Sequence, residues 1–454
     1  MKVLKFGGTS VGSVESLNNV KKIVEAIPGK AVIVVSALGG LTDKLIGTAN
    51  IAAEGDKNWQ TEMESVRQRH RNIIDNVVDR SFQEITSEKV EKLLDSLQQD
   101  LTEIYESQEL TEKKLDLIVS YGERMSSEIV ASMVKNGKRY YSPDFIKTEK
   151  WFDKNIANGP LTRQLIKETF NNIGDEEKAI VPGFISTDTL TGDITNLGRG
   201  GSDYTGALLA AALDAEVLEI WTDVDGFMTA DPRIVKKALI INHLTFTESM
   251  ELCTFGAKVI YPPTIYPVFH KNIPIKILNT FNPGVPGTLV TDHPYPDDFD
   301  IKGVTSRKNV ALAALELRDY SKANEFMKKG LNILAKKGVS TIPLSLTEMD
   351  DRVCIAFNQE DAKRAEEILK QEFSGELSSG DITNLKTVEN QSAIAIVGKA
   401  MRSRDRLSAR LWNSLSRDGI EVEALANSSD TTLIYILDQD KISQALPLIH
   451  SMLY

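Results

Sequence analysis

The segment Ala31-Val32-Ile33-Val34-Val35 consists of apolar residues only, with no polar residue at alternate positions. Such a run predicts a strand that is buried on both faces, as in a parallel sheet. Similar runs alternate with helical stretches through the first 290 residues. They lie at Val3–Phe6, Ala31–Ser36, Ala179–Ile185, Val217–Thr222 and Ile275–Asn279. The alternation predicts an α/β domain, residues 1–290, with a mainly parallel sheet sandwiched by helices.

The region between residues 56 and 136 contains few glycines and many Glu, Gln, Lys and Leu residues, which predicts an almost wholly helical segment. Another helix is predicted after the glycines at positions 7 and 8, because apolar residues recur there at helical spacing. Ligands of open parallel sheets bind outside the carboxyl ends of the strands. We therefore expect the functional residues to follow the strands directly.

The pattern changes after residue 290. Residues 291–300 include the proline-rich, acidic segment Thr291–Asp298, which predicts a linker. Beyond it lies a weak internal repeat of about 80 residues, in which each copy predicts the order βαββαβ. The second copy reaches Tyr454 before its last strand, whereas an extra strand, Ile301–Ser306, precedes the first copy. We expect this strand to complete the second copy, because an unpaired edge would invite aggregation.

This pairing predicts that one repeat is inserted within the other. The first repeat comprises residues 308–389, and the second repeat comprises residues 301–307 and 390–454. Each is expected to form a ferredoxin-like sheet with helices on one face.

Composition narrows the possible functions. Lys and Arg total 53 and Asp and Glu total 64, so the net charge is −11 and no basic block is present. Such a chain is a poor binder of nucleic acid or anionic membranes. No apolar run is long enough for a membrane span, the N-terminus lacks a signal-peptide layout, and the two cysteines form no disulfide framework. A cytoplasmic protein without a histidine- or cysteine-based metal site is expected.

Three glycine-rich segments follow predicted strands. The first, Lys5-Phe6-Gly7-Gly8-Thr9-Ser10, opens a helix and combines glycine N–H groups with a lysine charge, which suits a phosphate. It is neither a Walker A loop nor the dinucleotide fingerprint. The second lies around Ser36-Ala37-Leu38-Gly39-Gly40-Leu41-Thr42, and the third is Leu197–Asp203. A single loop is equally well explained as a tight turn, but three at one sheet edge favour an anion site.

Other candidates have an ordinary structural explanation when taken singly. Asp223 to Gly226 could serve a nucleotide or form a hairpin turn, and Arg233 could clamp a phosphate or lie free on the surface. Phe255–Val259 is equally ambiguous. Glu123 could cap a helix or bind a substrate ammonium.

Together these motifs resemble the aspartate kinase family of the amino-acid kinase superfamily. The resemblance rests on Lys5–Ser10, Leu197–Asp203, Thr222-Asp223, Phe255–Val259 and Asn279–Pro283, and it spans essentially the whole chain. The C-terminal repeats resemble the paired ACT domains of that family. A monofunctional enzyme is implied, because the chain ends after the second repeat.

The resemblance implies transfer of the ATP γ-phosphoryl group to L-aspartate, with Mg²⁺ as cofactor, in the first step of lysine, threonine and methionine biosynthesis. It implies Lys5 and Asp203 as catalytic residues. It implies Ser36, Thr42, Glu123, Arg199 and Gly201 as substrate-binding residues. It implies Lys5, Phe6, Gly7, Gly8, Thr222, Asp223, Met228, Arg233, Lys258 and Val259 as nucleotide-binding residues. No protein metal ligand is implied.

The resemblance also implies a homodimer or dimer of dimers and an amino-acid effector. Ile342 stands where lysine-sensitive relatives carry an aspartate, and a cationic effector needs a carboxylate partner. Lysine, threonine, a shifted site or no effector are therefore all open. Met228 and Tyr261 replace a usual tyrosine and a common histidine. The alternatives are another amino-acid kinase, or a non-catalytic amino-acid sensor on a kinase scaffold.

Overall fold

The computed structural model describes residues 1–151, 154–295, 300–342, 352–399, 401 and 405–454. The chain divides into two compact units. The first unit comprises Met1–Phe227 and Val259–His293, and the second comprises Met228–Lys258 and Pro294–Tyr454. The second unit thus takes a segment from within the predicted N-terminal domain.

The helices and strands follow one another along both units. The helices are α1 (Val14–Glu25), α2 (Leu41–Ala53), α3 (Trp59–Val77), α4 (Arg80–Ser107), α5 (Glu112–Met133), α6 (Gly159–Phe170), α7 (Gly201–Ala212), α8 (Phe246–Thr254), α9 (Ile265–Phe269), α10 (Ala323–Lys336), α11 (Ala362–Glu372), α12 (Ser374–Ser379), α13 (Asp405–Arg417) and α14 (Ile442–Leu453). The strands are β1 (Lys2–Phe6), β2 (Ala31–Val35), β3 (Gly137–Arg139), β4 (Lys147–Trp151), β5 (Lys154–Ala157), β6 (Lys178–Pro182), β7 (Ile185–Asp188), β8 (Ile194–Asn196), β9 (Leu218–Thr222), β10 (His243–Thr245), β11 (Ile275–Asn279), β12 (Thr288–Thr291), β13 (Ile301–Leu317), β14 (Thr341–Ile342), β15 (Arg352–Asn358), β16 (Ile382–Gly398), β17 (Val422–Ser429) and β18 (Thr432–Asp438).

The first unit contains a sheet in which the strands lie in the order β12-β11-β9-β1-β2-β6-β3. Strand β1 pairs in parallel with β2 on one side and with β9 on the other. Strand β2 in turn pairs in parallel with β6, and β9 pairs in parallel with β11. Only the pair of β11 and β12 is antiparallel among the pairs within this set. All five residues of β2 are buried. The mainly parallel α/β sheet expected from the apolar runs is therefore confirmed.

The predicted helical region consists of α3, α4 and α5, which pack with α2 in one layer. Their apolar residues recur every three or four positions, so each helix presents an apolar face to the core. On α4 that face consists of Val90, Leu94, Leu97, Leu101 and Ile104, all buried. Buried residues of these helices form one apolar cluster with the side chains of Leu4 in β1 and Ile33 in β2.

A smaller sheet in the first unit was not predicted. Its strands lie in the order β5-β4-β7-β8, and Thr148 and Thr195 share a buried hydrogen bond of 2.7 Å within it. The expected strand Ala179–Ile185 is divided between β6 in the main sheet and β7 here. Strand β8 leads directly into the third glycine-rich segment.

The second unit contains a sheet with the order β14-β15-β13-β16-β18-β17. The expected strands at Ile301–Ser306 and Asn309–Leu317 are one continuous strand, β13, which pairs along its length with β16. The register shifts near Asn309, and both Asn309 and Asn390 have φ of 58°. Asparagine tolerates this left-handed backbone. The two long strands therefore run through both predicted repeats. The insertion of the first repeat within the second stays a prediction.

Each repeat packs helices on its part of this sheet. In the first repeat, α10 and α11 bury Leu334 and Leu369 against β13 and β15. In the second repeat, α13 and α14 bury Leu415 and Leu446 against β16 and β18. The expected strand Val339–Thr347 continues past Ile342 into residues outside the described part of the chain, as does part of the linker at residues 291–300.

The segment Met228–Lys258 is held to the second unit by both packing and hydrogen bonds. Phe255 is fully buried in a cluster with Val310 and Ile434, and the backbone N–H of Val304 donates to the Thr229 carbonyl at 2.8 Å. These contacts explain why a stretch expected in the N-terminal α/β domain belongs to this unit. Within the described ranges, no helix combines the length and apolarity needed to cross a membrane.

We predict that the two repeats unfold together, because β13 and β16 belong to both. Leu334→Ala removes a fully buried side chain from the first repeat and should cost about 2–5 kcal/mol. Native-state hydrogen exchange should then accelerate in β18 of the second repeat as well as in β15 of the first.

Lys328→Ala is the matched control, since Lys328 is exposed on the same helix. Faster exchange in β15 with unchanged protection in β18 would show that the repeats unfold independently.

Candidate active site

The carboxyl ends of the central strands meet at one edge of the main sheet. Phe6 is in register with Val35 of β2 and Trp221 of β9, and Thr222 is in register with Asn279 of β11. The pairing continues beyond the strands, since the N–H of Gly7 donates to the Trp221 carbonyl at 3.0 Å. The loops that follow these strands are therefore neighbours.

The first two glycine-rich segments touch through their backbones. A Cβ added to Gly39 would lie 3.0 Å from the carbonyl oxygen of Gly8, and one added to Gly12 would lie 3.3 Å from the Gly39 nitrogen. The Ser36 N–H donates to the Phe6 carbonyl at 3.2 Å. The loops lead into α1, capped by Ser13, and α2, which begins after Gly40. The contacting loops thus bring two helix N-termini to the same edge, and the dipole of a helix N-terminus favours an anion.

Lys5 and Asp203 form an ion pair at this edge. Lys5 Nζ lies 2.5 Å from Asp203 Oδ1, and the two side chains are only 11% and 12% exposed. Asp203 is in the first turn of α7, and a Cβ added to Gly206 of that helix would lie 3.4 Å from Lys5 Cβ. The close packing of a glycine against the lysine stem fixes the pair where β1 ends.

Glu123 of α5 is the second carboxylate of the site. It is 4% exposed, accepts a hydrogen bond from the Ala37 backbone, and its Oε2 has no hydrogen-bond partner among the described residues. Burial raises its pKa from 4.5 to about 8, against the lowering effects of the Ala37 hydrogen bond and the Lys5 charge. The folded protein therefore holds this proton more tightly than the unfolded chain. The resulting stability is full below about pH 4.5 and is lost as the pH rises through about 8.

The third glycine-rich segment is anchored at its start by Asn196. The Asn196 side chain accepts from the Gly198 N–H at 3.0 Å and donates to Asp116, whose pKa is raised to about 6 by burial. Gly200 has φ of 70°, and a Cβ there would lie 2.3 Å from the Cβ of Tyr261. Glycine is therefore required at this position. Tyr261, an unusual residue for the resembled family, packs directly on the loop.

Other predicted site residues belong to the first unit. Arg199 lies exposed on the third loop and Gly201 is buried at the start of α7. Ser36 and Thr42 are half-buried at the end of β2 and the start of α2. The remaining ones are Phe6, Gly7 and Gly8 in the first loop, Thr222, which donates to Asp223 at 3.2 Å, and Val259.

Three predicted nucleotide-binding residues belong to the second unit: Met228, Arg233 and Lys258. The Arg233 guanidinium bonds to the Asp231 carboxylate, with Nη2 2.7 Å from Oδ2, which raises the pKa of Arg233 and lowers that of Asp231. A phosphate at Arg233 would compete with this carboxylate. Lys258 is exposed.

Sequence reasoning missed Arg69. It noted the motifs that contain Asp225 and Asn279, but it did not predict that these two residues pair. Arg69 Nη2 donates to the carbonyls of Gly12 and Gly39, each at 2.9 Å. Asn279 Nδ2 donates to Asp225 Oδ1 at 2.8 Å, which fixes the loop after β9 against the end of β11. Among the described residues, no group of three His, Cys, Asp or Glu side chains could hold a metal ion.

The sequence model described as "Amino acid kinase family" matches residues 1–279, and an ACT domain model matches residues 394–453. The chain is 27% identical over 482 residues to the chloroplastic bifunctional aspartokinase/homoserine dehydrogenase 1 of Arabidopsis thaliana, covering 100% of this chain and 51% of that protein. It is also 27% identical over 468 residues to aspartokinase 1 of the same plant, covering 100% and 80%. The chain thus spans about half the length of the first relative.

Two structures of E. coli aspartokinase III are similar to this one. The complex with aspartate and ADP gives a TM-score of 0.82 at 24% identity over 99% of both chains. The complex with lysine and aspartate gives a TM-score of 0.72 at 26% identity over 100% of this chain and 99% of that one. Because the kinase model covers more than half of its residues, this chain belongs to the amino acid kinase family.

Proposed function

We propose that this protein is an aspartate kinase, which transfers the γ-phosphoryl group of ATP to the β-carboxylate of L-aspartate and releases 4-phospho-L-aspartate and ADP. The observation that carries the proposal is the Lys5–Asp203 pair beside two contacting glycine loops, with the buried Glu123 near the same lysine. This set combines a phosphate site with a carboxylate suited to an amino-acid ammonium.

The chemistry needs little acid–base help from the protein. A carboxylate with a pKa of about 3.9 is already ionised near neutral pH, so the nucleophile requires no general base. Its oxygen forms a bond to the γ-phosphorus as the bond to the bridging oxygen breaks, and ADP leaves with the electron pair. No proton is transferred. The protein contributes alignment and neutralisation of charge on a loose transition state.

Lys5 and the first glycine loop are assigned to the phosphoryl group. The Lys5 ammonium would contact the transferring oxygens, and the Gly8 N–H would donate to the same phosphates. The N–H of Gly7, also assigned to the nucleotide, is already bonded to the Trp221 carbonyl, so Gly7 would contribute close approach of the backbone instead. Asp203 would hold Lys5 in place through the 2.5 Å contact and face the metal-bound waters. Mg²⁺, which would arrive with ATP, would supply neutralisation of phosphate charge. Asp203 fits this role because its carboxylate pairs directly with Lys5.

Glu123 and Arg199 are assigned to the amino acid. The Glu123 Oε2 without a hydrogen-bond partner would pair with the substrate ammonium, and the Arg199 guanidinium would hold a carboxylate by paired hydrogen bonds. Ser36 and Thr42 would add hydroxyl contacts, and Gly201 would allow close approach of the backbone. Phe6, Thr222, Asp223, Met228, Arg233, Lys258 and Val259 are assigned to the nucleotide.

The repeats are proposed to bind an amino-acid effector and to form a homodimer or dimer of dimers. The related E. coli enzyme has been solved with lysine. In this chain Ile342 is buried and apolar where a lysine effector would need a carboxylate, so threonine is an equal candidate. A non-catalytic sensor would need neither the Lys5–Asp203 pair nor the unpaired Glu123 oxygen, which favours the enzyme.

We predict that the protein forms aspartyl hydroxamate from L-aspartate, ATP and hydroxylamine, and that Lys5→Met lowers the rate by at least about 10³-fold. Methionine keeps the apolar stem of the side chain but removes the positive charge that would contact the phosphoryl group. The assay should be repeated with lysine and with threonine to identify the effector.

Lys2→Met is the matched control, since Lys2 lies on the same strand and pairs with Glu219 at 3.0 Å away from the loops. Folded wild-type protein without hydroxamate would contradict the proposal. An active Lys5→Met variant would contradict the role of this lysine.

We predict that the KM for aspartate falls as the pH rises from about 6 to about 8. With the pKa of Glu123 raised to about 8, the carboxylate must lose a proton before it pairs with the ammonium, so affinity should rise about tenfold per pH unit below that value. Steady-state rates at saturating ATP measure this dependence.

The Glu123→Gln variant should show a high KM that no longer changes with pH, because the glutamine cannot ionise. The KM for ATP, measured over the same range, serves as the control. A KM for aspartate that is constant in the wild type would remove Glu123 from the ammonium site.

A further inference from the structure

Arg69 joins the two loops that the proposed reaction must keep together. It lies on α3, in the helical layer, and is half-buried. Its Nη2 donates at 2.9 Å to the carbonyl of Gly12, at the end of the first loop, and at 2.9 Å to the carbonyl of Gly39, in the second. One guanidinium nitrogen therefore ties both loops to a helix that is remote in sequence.

The tie lies where the loops are already in backbone contact. The Gly8 carbonyl faces both Gly12 and Gly39, and a Cβ on either glycine would lie 3.0 Å from it. Backbone contact this close leaves no side chain between the loops. The pairing of β1 with β2 ends at Phe6 and Val35, so it does not reach residues 8–12 or residue 39. The Arg69 hydrogen bonds add a side-chain link between these two loops.

Arg69 differs from a neighbouring arginine of its helix in how its charge is compensated. Arg67, two residues earlier, pairs with Glu91 and with Asp95. Arg69 makes no ion pair within the described ranges, and its pKa is lowered by burial alone. A partly buried guanidinium that bonds only to carbonyls costs desolvation without a carboxylate to offset it. This arrangement is explained if the cation has a role in the loops it joins.

We propose that Arg69 is a positioning residue that fixes the distance between the phosphoryl donor and its carboxylate acceptor. The inference rests on the proposed function, in which the first loop holds the phosphates and the second, with Ser36 and Thr42, holds the amino acid. Arg69 touches neither substrate. By tying Gly12 to Gly39, it keeps the attacking oxygen in line with the γ-phosphorus, and a misplacement of about 1 Å can cost about 10²-fold in rate.

The test is Arg69→Met, assayed by hydroxamate formation with both substrates varied. Loss of the tie should lower kcat about 10- to 100-fold, while the KM values for ATP and aspartate each change less than about threefold, because each loop keeps its own contacts. Arg69→Lys should restore kcat to within about threefold of wild type, since an ammonium has donors for both carbonyls. Arg71→Met, on the exposed face of the same helix, is the control.

Several outcomes would overturn the proposal. An unchanged kcat in Arg69→Met would do so, as would a fall in melting temperature with both KM values raised and no rescue by lysine, which is the behaviour of a structural residue. If Arg69→Met does not fold, Arg69→Gln, which keeps amide donors, replaces it. Its kcat and KM values are then compared with those of Arg69→Lys in the same way. A wild type that forms no hydroxamate would contradict the proposed function itself, so that failure is distinguished from a failure of the role proposed for Arg69.

Discussion

The ion pair of Lys5 and Asp203 is the contact on which the site depends. It joins the carboxyl end of β1 to the first turn of α7, and both side chains are nearly buried. Removing one partner of such a pair leaves an uncompensated charge, so the two residues fix each other's position. Near them lie the N-termini of α1 and α2, and one carboxylate oxygen of Glu123 has no hydrogen-bond partner among the described residues. These are groups that a phosphate and an ammonium would satisfy.

The loops approach one another closely because glycines, which have no Cβ, lie where they meet. The first two loops touch through Gly8, Gly12 and Gly39, and Gly200 in the third meets Tyr261 at a distance that no side chain permits. A parallel sheet brings its strand ends to one edge, but only residues without Cβ allow the following loops to pack there. Arg69 then adds a link from the helical layer, so that α3 contributes to the geometry of the sheet edge.

Much of this arrangement could be predicted from the sequence. Apolar runs without alternation marked the central strands, and the glycine segments that follow them marked the edge where ligands bind. Arg69 could not be found in this way, because its partners are carbonyl oxygens, which every residue carries. The continuous strand β13 was predicted as two strands, because the polar residues Arg307 and Lys308 separate its two apolar stretches. The assignment of Met228–Lys258 to the second unit depends on contacts distant in sequence, such as Phe255 with Val310. The placement of Met228, Arg233 and Lys258 at the nucleotide stays a proposal.

The most direct measurement is a crystal structure of the protein with MgADP, aluminium fluoride and L-aspartate, which together imitate the transferring phosphoryl group and its acceptor. The account predicts the fluoride within about 3.2 Å of Lys5 Nζ and of the first glycine loop, with a carboxylate oxygen of aspartate in line opposite ADP and its ammonium against Glu123. Fluoride bound away from Lys5, or aspartate bound only in the C-terminal repeats, would contradict it.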